Sequence, residues 1–372
     1  MAIPLPKSEY RIENADEFPT PSLLFYPELI AYNTDKAIEY AGGAERIWAH
    51  VKTHKSADVL HLLQSKGLRR FKCATIAEAE TAALCDAEEI LLAYPLIGAN
   101  ISRFIQLIRT YPHSRFWAIG DSLDSLSALG SAAYAADLTI PTLLDVNIGM
   151  DRTGVPLEKA VSAYEAFSRL EGLKLRGLHF FSGNFKIRDL AERKAAVEKT
   201  GPQIRAIPET LRQAGYPVEA VVLSGTPSLS CYRDYENVFV CPGTAFITDL
   251  AYYNTFPDYD FVPAAALLTR VISTPRPGSF TIDLGYKHIA SDPNGQRGVI
   301  LGYEDAQVLF QCEEHWTFQT APERAPKLGE TLYVLPTHIC PTIALYPEAL
   351  TVEKGRVSGI WPITARNLKI TI

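Results

Sequence analysis

The stretch WAHVKTHKSADV, Trp48 to Val59, decides how the rest of the chain is read. Two histidines and two lysines fall between His50 and Lys55, where the apolar pattern runs like a buried strand into a helix. In a strand, successive side chains face opposite sides. Ala49, Val51 and Thr53 make one face, small and mostly apolar, while His50, Lys52 and His54 share the other. A solvated basic hairpin fits KTHK taken alone. The alternation and the strand-to-helix context favour instead a lysine turned inward. An inward ammonium is costly unless it is paired, neutralised or covalently used.

Working outward, short apolar runs alternate with helical patterns from about residue 47 to about residue 250. RIWAHVKTH, RRFKCAT, EILLAYP, RFWAIG, PTLLDVNIG, LKLRGLHFF, VEAVVLS and NVFVCPG read as eight strands. Ser56 is placed to cap the helix that ends before Gly67, and Thr75 with Glu78 forms a capping box for the next. Eight strands, each followed by a helical or loop crossover, predict an α/β fold of the (β/α)8 TIM-barrel type rather than an open sheet. An earlier strand starts at Ser22, and past about residue 255 the pattern becomes all-β, punctuated by Pro and Gly. The expected domains are an N-terminal segment, 1–26, that joins the β-domain, a barrel over 27–255, and a C-terminal all-β domain over 256–372.

The totals agree with one large and one smaller domain, since 372 residues exceed an ordinary single compact domain. A formal net charge of −6 argues against nucleic acid or an anionic membrane as partner. No apolar run is long enough to span a bilayer, and the N-terminus lacks a signal-peptide core. The six cysteines include no C-x-x-C pair, so neither a disulfide framework nor a zinc knuckle is expected. The composition reads as a reduced, cytoplasmic protein.

Barrel enzymes place their chemistry at the C-terminal ends of the strands, where Lys52 would sit. An inward lysine there forms a Schiff base or acts as a general base. A Schiff base with pyridoxal phosphate needs a phosphate cradle, which barrels build after strands seven and eight. Those strands end in Leu223-Ser-Gly-Thr-Pro-Ser228 and Cys241-Pro-Gly-Thr-Ala245, glycine-opened segments with hydroxyls beside them. Each alone is an ordinary turn; their joint position is the stronger signal. Past strand five, Arg152 is placed to touch a cofactor ring, the alternative being a salt bridge to Asp151 or Asp145. Near the C-terminus, His338 and Cys340 would project from one face of an extended segment as a divalent-metal pair. A buried cysteine beside a satisfied histidine is the alternative.

Together these blocks resemble the fold-type III, alanine racemase-like pyridoxal-phosphate enzymes, in the branch of D-threonine aldolase and the metal-dependent D-serine dehydratases. The likeness rests on Thr20-Pro21, the H-V-K-T-H-K block, D-x-N-x-G-M-D-R-x-G-V from Asp145, S-G-T-P-S, and P-G-T. It continues through D-L-G-Y-K-H-I-A-S-D (283–292) and Pro336-Thr-His-Ile-Cys-Pro-Thr342. It implies Lys52 as the Schiff-base lysine and Arg152 as the ring contact. Ser224, Gly225, Thr226, Gly243 and Thr244 are implied to bind the phosphate. His338 and Cys340 would hold a divalent metal (zinc, manganese or magnesium). It further implies a homodimer, with each site between one subunit's barrel and β-domain residues at the interface. The small-molecule substrate would be a β-hydroxy-D-amino acid. The expected reaction is retro-aldol cleavage to glycine and an aldehyde; the alternative is dehydration of D-serine or 3-hydroxy-D-aspartate to a 2-oxo acid and ammonia. A racemase or a cofactor carrier remains a further alternative. In one place the chain departs from the pattern: relatives carry a histidine close to the glycine that is here Gly183, where this chain has Phe181 and Ser182. By alternation His179 shares a face with Phe181 and Gly183, which makes it the candidate catalytic histidine, or a core residue.

Overall fold

The computed structural model describes residues 9–223 and 225–372. The chain forms two compact units: one of residues 37–52, 60–243 and 367–372, the other of residues up to 36, 53–59 and 244–366. The first strand of the chain, β1 (Ser22–Phe25), belongs to the second unit.

The first unit is the barrel. Its strands are β2 (Trp48–His50), β3 (Arg70–Cys73), β4 (Glu89–Leu92), β5 (Arg115–Gly120) and β6 (Ile140–Asn147), with a short β7 (Val155–Pro156) beside β6. They continue as β8 (Leu173–Phe180), β9 (Ala220–Leu223) and β10 (Phe239–Val240). Neighbours run parallel in the order β2-β3-β4-β5-β6-β8-β9-β10, and a parallel bridge from Ile47 to Val240 closes the ring. Trp48, Leu91, Trp117, Leu143 and Val222 form one buried cluster inside it, the two tryptophans edge to face at 5.8 Å. Aromatic and branched side chains thus make a packed core rather than a pore. Two residues further along the strands, the same inward alternation delivers His50 after Trp48 and Asp145 after Leu143. The apolar layer is thereby followed by a polar one.

Crossover helices carry the caps. Thr75 Oγ1 accepts the Glu78 N–H at 3.1 Å, and the Glu78 carboxylate accepts the Ala74 N–H at 2.7 Å. The helix Ala57–Ser65 ends as expected before Gly67, whose φ of +90° suits glycine. Its start differs: the Ser56 hydroxyl is buried with no hydrogen-bond partner among the described residues, so it does not cap. After β9 the crossover is reduced to two 3-10 turns, Thr226–Ser228 and Ser230–Tyr232.

β2 is shorter than the sequence predicts. The His50 N–H bonds the Pro242 carbonyl at 2.8 Å and the Val51 N–H bonds the Lys72 carbonyl at 2.9 Å; residues 51–54 then turn. Lys52 and His54 therefore do not continue the strand face of His50. Lys52 is half-buried in the barrel unit, whereas His54 is wholly buried in the other.

The second unit is a sheet of nine strands. After the barrel come β11 (Ala265–Arg276), β12 (Ser279–Ile282), β13 (Gly298–Ile300), β14 (Gln307–Gln311), β15 (Trp316–Gln319), β16 (Thr331–Pro336), β17 (Glu348–Glu353) and β18 (Arg356–Pro362). β1 lies within this sheet, antiparallel to β11 with Ser22 opposite Leu268, and parallel to β17. Leu24, Tyr26, Leu268, Leu335 and Leu350 share its core. No described helix is long and apolar enough to cross a membrane.

Candidate active site

A cavity of about 430 Å³ opens where the barrel strands end, lined by His50, Lys52, Lys72, Arg152, His179 and Phe181 among others. Three of the residues singled out from the sequence, Lys52, Arg152 and His179, meet there. Arg152 makes no ion pair with Asp151 or Asp145; its guanidinium carbon lies 4.7 Å from the centre of the Phe181 ring. Cation and ring attract through the ring quadrupole, which fixes Arg152 at the cavity wall.

His179 is held by two neighbours. Its Nδ1 lies 2.6 Å from Asp145 Oδ1 and its Nε2 lies 2.7 Å from Lys72 Nζ. All three side chains are at least nine-tenths buried, with Lys72 only 2% exposed. The tautomer that satisfies both contacts carries its proton on Nδ1, donates it to the carboxylate and accepts from the ammonium. Burial lowers the pKa of Lys72, and the charges of Lys52 and Arg152 add to that, against Cys241 and Asp145. Burial likewise lowers His179, and the charge of Lys72 reinforces it. Burial alone would raise Asp145, but the charge and hydrogen bond of His179 outweigh it and hold the carboxyl low. His50 is pushed well down by burial and by the charges of Lys72 and Lys52, so it stays neutral.

Lys72 was missed in the sequence reading. The alternation applied to Lys52 would have found it, because RRFKCAT places Arg70 and Lys72 on one strand face with apolar Phe71 between.

The segments after β9 and β10 come together: the Gly243 N–H donates to Thr226 Oγ1 at 3.4 Å. A Cβ on Gly225 would lie 3.4 Å from Phe181 Cε2, in van der Waals contact, so this glycine backs onto the ring that forms the cavity wall. Ser224 lies outside the described residues. Thr244 opens the short helix Thr244–Ile247 of the second unit, its hydroxyl 3.4 Å from Cys340 Sγ. A lysine amine on the cavity, an aromatic wall, a guanidinium and a glycine-backed turn at strand seven fit pyridoxal phosphate.

In the second unit, His338 and Cys340 do not lie on an extended segment as predicted. His338 is the extended N-cap of the helix Ile339–Ala344, and Cys340 sits in its first turn. The turn still keeps them close enough to interact electrostatically. His338 Nδ1 lies 2.6 Å from Asp292 Oδ2, which leaves Nε2 for an ion, and Thr53 Oγ1 is 3.2 Å from Cys340 Sγ. Burial alone would lower His338; the hydrogen bond and charge of Cys340, then Asp292 and Asp249, carry it up to about 9. Among the described residues no group of three or more His, Cys, Asp or Glu side chains could hold a metal ion. A two-ligand set leaves the remaining positions to water and substrate, so the pair fits an open catalytic ion rather than a closed structural one.

Comparison with known proteins now bears on these features. The family described as "Alanine racemase, N-terminal domain" matches residues 27–249, and a serine dehydratase domain matches residues 264–352. The chain belongs to the alanine racemase-like, fold-type III family of pyridoxal-phosphate enzymes. It is 26% identical to a D-threonine aldolase of Arthrobacter sp. over 325 residues, 85% of this chain and 84% of that protein. It is 25% identical to a 3-hydroxy-D-aspartate aldolase of Paracoccus denitrificans, over 94% of this chain and 92% of that protein. The crystal structure of D-threonine aldolase from Filomicrobium marinum superposes with a TM-score of 0.86 at 26% identity, covering 96% of this chain and 98% of that one.

Proposed function

We propose that the chain is a pyridoxal-phosphate- and divalent-metal-dependent lyase that cleaves β-hydroxy-D-amino acids to glycine and an aldehyde, as a D-threonine aldolase does. The observation that carries this reading is the meeting of Lys52 and Arg152 on one cavity at the strand ends of a barrel. Similarity to D-threonine aldolase over 85% of the chain supports it. In this reading residues 27–255 bind the cofactor, and residues 256–372, joined by the segment 1–26, carry the metal motif. The protein works as a homodimer in the cytoplasm.

Pyridoxal phosphate supplies, when bound, a sink for the electron pair released at Cα, and a divalent ion (zinc, manganese or magnesium) supplies Lewis-acid polarisation of the β-hydroxyl. The chain's own groups do the rest. Lys52 Nζ would hold the cofactor through its carbonyl carbon, and it is the amine placed to accept or return a proton beside Cα. Ser224, Gly225, Thr226, Gly243 and Thr244 hold the phosphate through backbone N–H groups and hydroxyls. Arg152 places a guanidinium on the cavity wall, against the Phe181 ring. His338 and Cys340 hold the ion, with Asp292 fixing the imidazole so that Nε2 is presented. His179 has both nitrogens engaged, so it acts through Lys72 rather than on the substrate.

Dehydration to a 2-oxo acid and ammonia is the second reading, supported by the serine dehydratase match over 264–352 and by the cysteine at position 340. D-threonine, D-serine and D-threo-3-hydroxyaspartate should be assayed with added manganese or zinc, scoring aldehyde against 2-oxo acid. Aldehyde plus glycine is the expected outcome. An oxo acid as sole product selects the dehydratase, and racemisation without either product removes the lyase reading.

A further inference from the structure

We propose that the floor of the Lys52 cavity is an oxyanion subsite built on Lys72, with His179 and Asp145 as its positioning residues. An ammonium has three N–H donors. Among the described residues the only hydrogen-bond partner of Lys72 Nζ is His179 Nε2 at 2.7 Å. Two donors of a side chain that is 2% exposed and lines the cavity are thus left for whatever fills it. Burying such donors unsatisfied is costly, and an oxygen anion is the acceptor that offsets most of that cost.

The cavity lining selects the same sign. It includes Lys52, Lys72 and Arg152 and contains no aspartate or glutamate. Asp145 lies behind His179, where it orients the imidazole. Carboxylate, imidazole and ammonium form a line that ends on the cavity, so Lys72 is held in one place rather than free to swing away. The Phe181 ring, 5.3 Å from Lys72 Nζ, closes another side.

The subsite stands on this geometry; which anion fills it rests on the proposed lyase reading. Two sources share the chemistry: the ring oxygen of the pyridine cofactor, or a second carboxylate on the β-carbon of the substrate. The groups facing Lys72 that bear on its charge are His179, Asp145, Cys241, Lys52, Arg152 and His50. Burial favours the neutral amine, and a bound anion favours the ammonium, so binding draws in a proton and weakens as pH rises.

The test uses the holoenzyme and two ligands without a β-hydroxyl, D-aspartate and D-alanine, titrated by calorimetry in buffers of different ionisation enthalpy. If the substrate carboxylate is the source, Lys72→Met lowers affinity for D-aspartate about tenfold or more, leaves D-alanine and cofactor affinity unchanged, and abolishes the extra proton uptake seen with D-aspartate. If the cofactor oxygen is the source, Lys72→Met weakens cofactor retention and shifts the pH titration of its absorbance, with both amino acids affected equally. Lys72→Arg, which keeps charge and donors, retains the parent pattern in either case. Should Lys72→Met fail to fold, the proton uptake of the parent still decides. Parent and variant alike in cofactor titration and in both ligand affinities, or no excess proton uptake by the parent with an unchanged cofactor titration, would overturn the subsite. Loss of discrimination in Lys72→Met without lyase turnover in the parent would leave the subsite standing and remove the lyase reading.

Discussion

The barrel cavity and the His338–Cys340 corner are built in opposite ways. In the barrel, strands place the supporting groups: His50, Lys72, Asp145 and His179 are all buried, and the turn that follows His50 sets Lys52 beside them. At the corner a turn places them: His338 is about a third exposed and sits at the start of a six-residue helix. Groups fixed by a packed barrel hold their geometry whether or not a ligand is present, because strands cannot shift without breaking the core. Groups on a helix start are held by a few hydrogen bonds, here Asp292 on His338 and Asp249 on the Ile339 N–H at 3.0 Å. The barrel therefore suits a permanently attached organic group and the corner an exchangeable ion.

The largest expected effect tests that division. Lys52→Ala removes the amine that takes the carbonyl, so the protein should lose covalent cofactor, measured by absorbance after borohydride reduction. Activity should fall on the order of 10⁴-fold, the upper range for losing a positioned proton-transfer group. If the reduced label appears instead on Lys72, the cavity has two competent amines and the assignment of Lys52 falls.

A smaller effect belongs to the corner. Cys340→Ala or His338→Ala should keep the cofactor colour while turnover drops roughly a hundredfold or more, since several kcal/mol of Lewis-acid stabilisation is lost. Asp292→Ala leaves His338 and Cys340 in place but releases the imidazole, and should weaken metal affinity about 10- to 100-fold by calorimetry. Full activity of the parent in excess chelator would end the metal reading.

The two regions also differ in how far they could be read from sequence. Apolar runs separated by capped helices made the eight-stranded barrel legible, because each strand is buried on both faces. Inwardness of His50 followed from the same period, and Lys72 was open to it, but beside Arg69 and Arg70 a third basic residue in RRFKCAT reads as an ordinary solvated charge. For Lys52 the conclusion and its reason parted: the strand face ends at His50, and a turn carries the lysine to the cavity. His338 and Cys340 were paired by spacing under the wrong geometry, an extended segment where a helix begins. Asp292, 46 residues from His338, could not be linked to it by any local pattern. Contacts of that range depend on the fold of the sheet, which one sequence does not specify.

The smallest expected effect concerns His54, which the turn after β2 buries completely. Its Nδ1 accepts the Ser56 N–H at 3.3 Å, and its Nε2 has no partner among the described residues. Burial pushes its pKa down to about 3, with the charge of Lys55 adding to that. The folded value thus lies below the unfolded value near 6.5, so the unfolded chain takes up the proton first. The stability this residue contributes is fully present above about pH 6.5 and is lost progressively as pH falls toward 3. Between pH 7 and pH 5 the loss should be on the order of 2 kcal/mol. His54→Gln cannot titrate there, so its denaturant midpoint should fall less than that of the parent over this interval. Parallel pH profiles for the two proteins would mean that His54 is solvated, and that the turn between Lys52 and the following helix is open rather than packed.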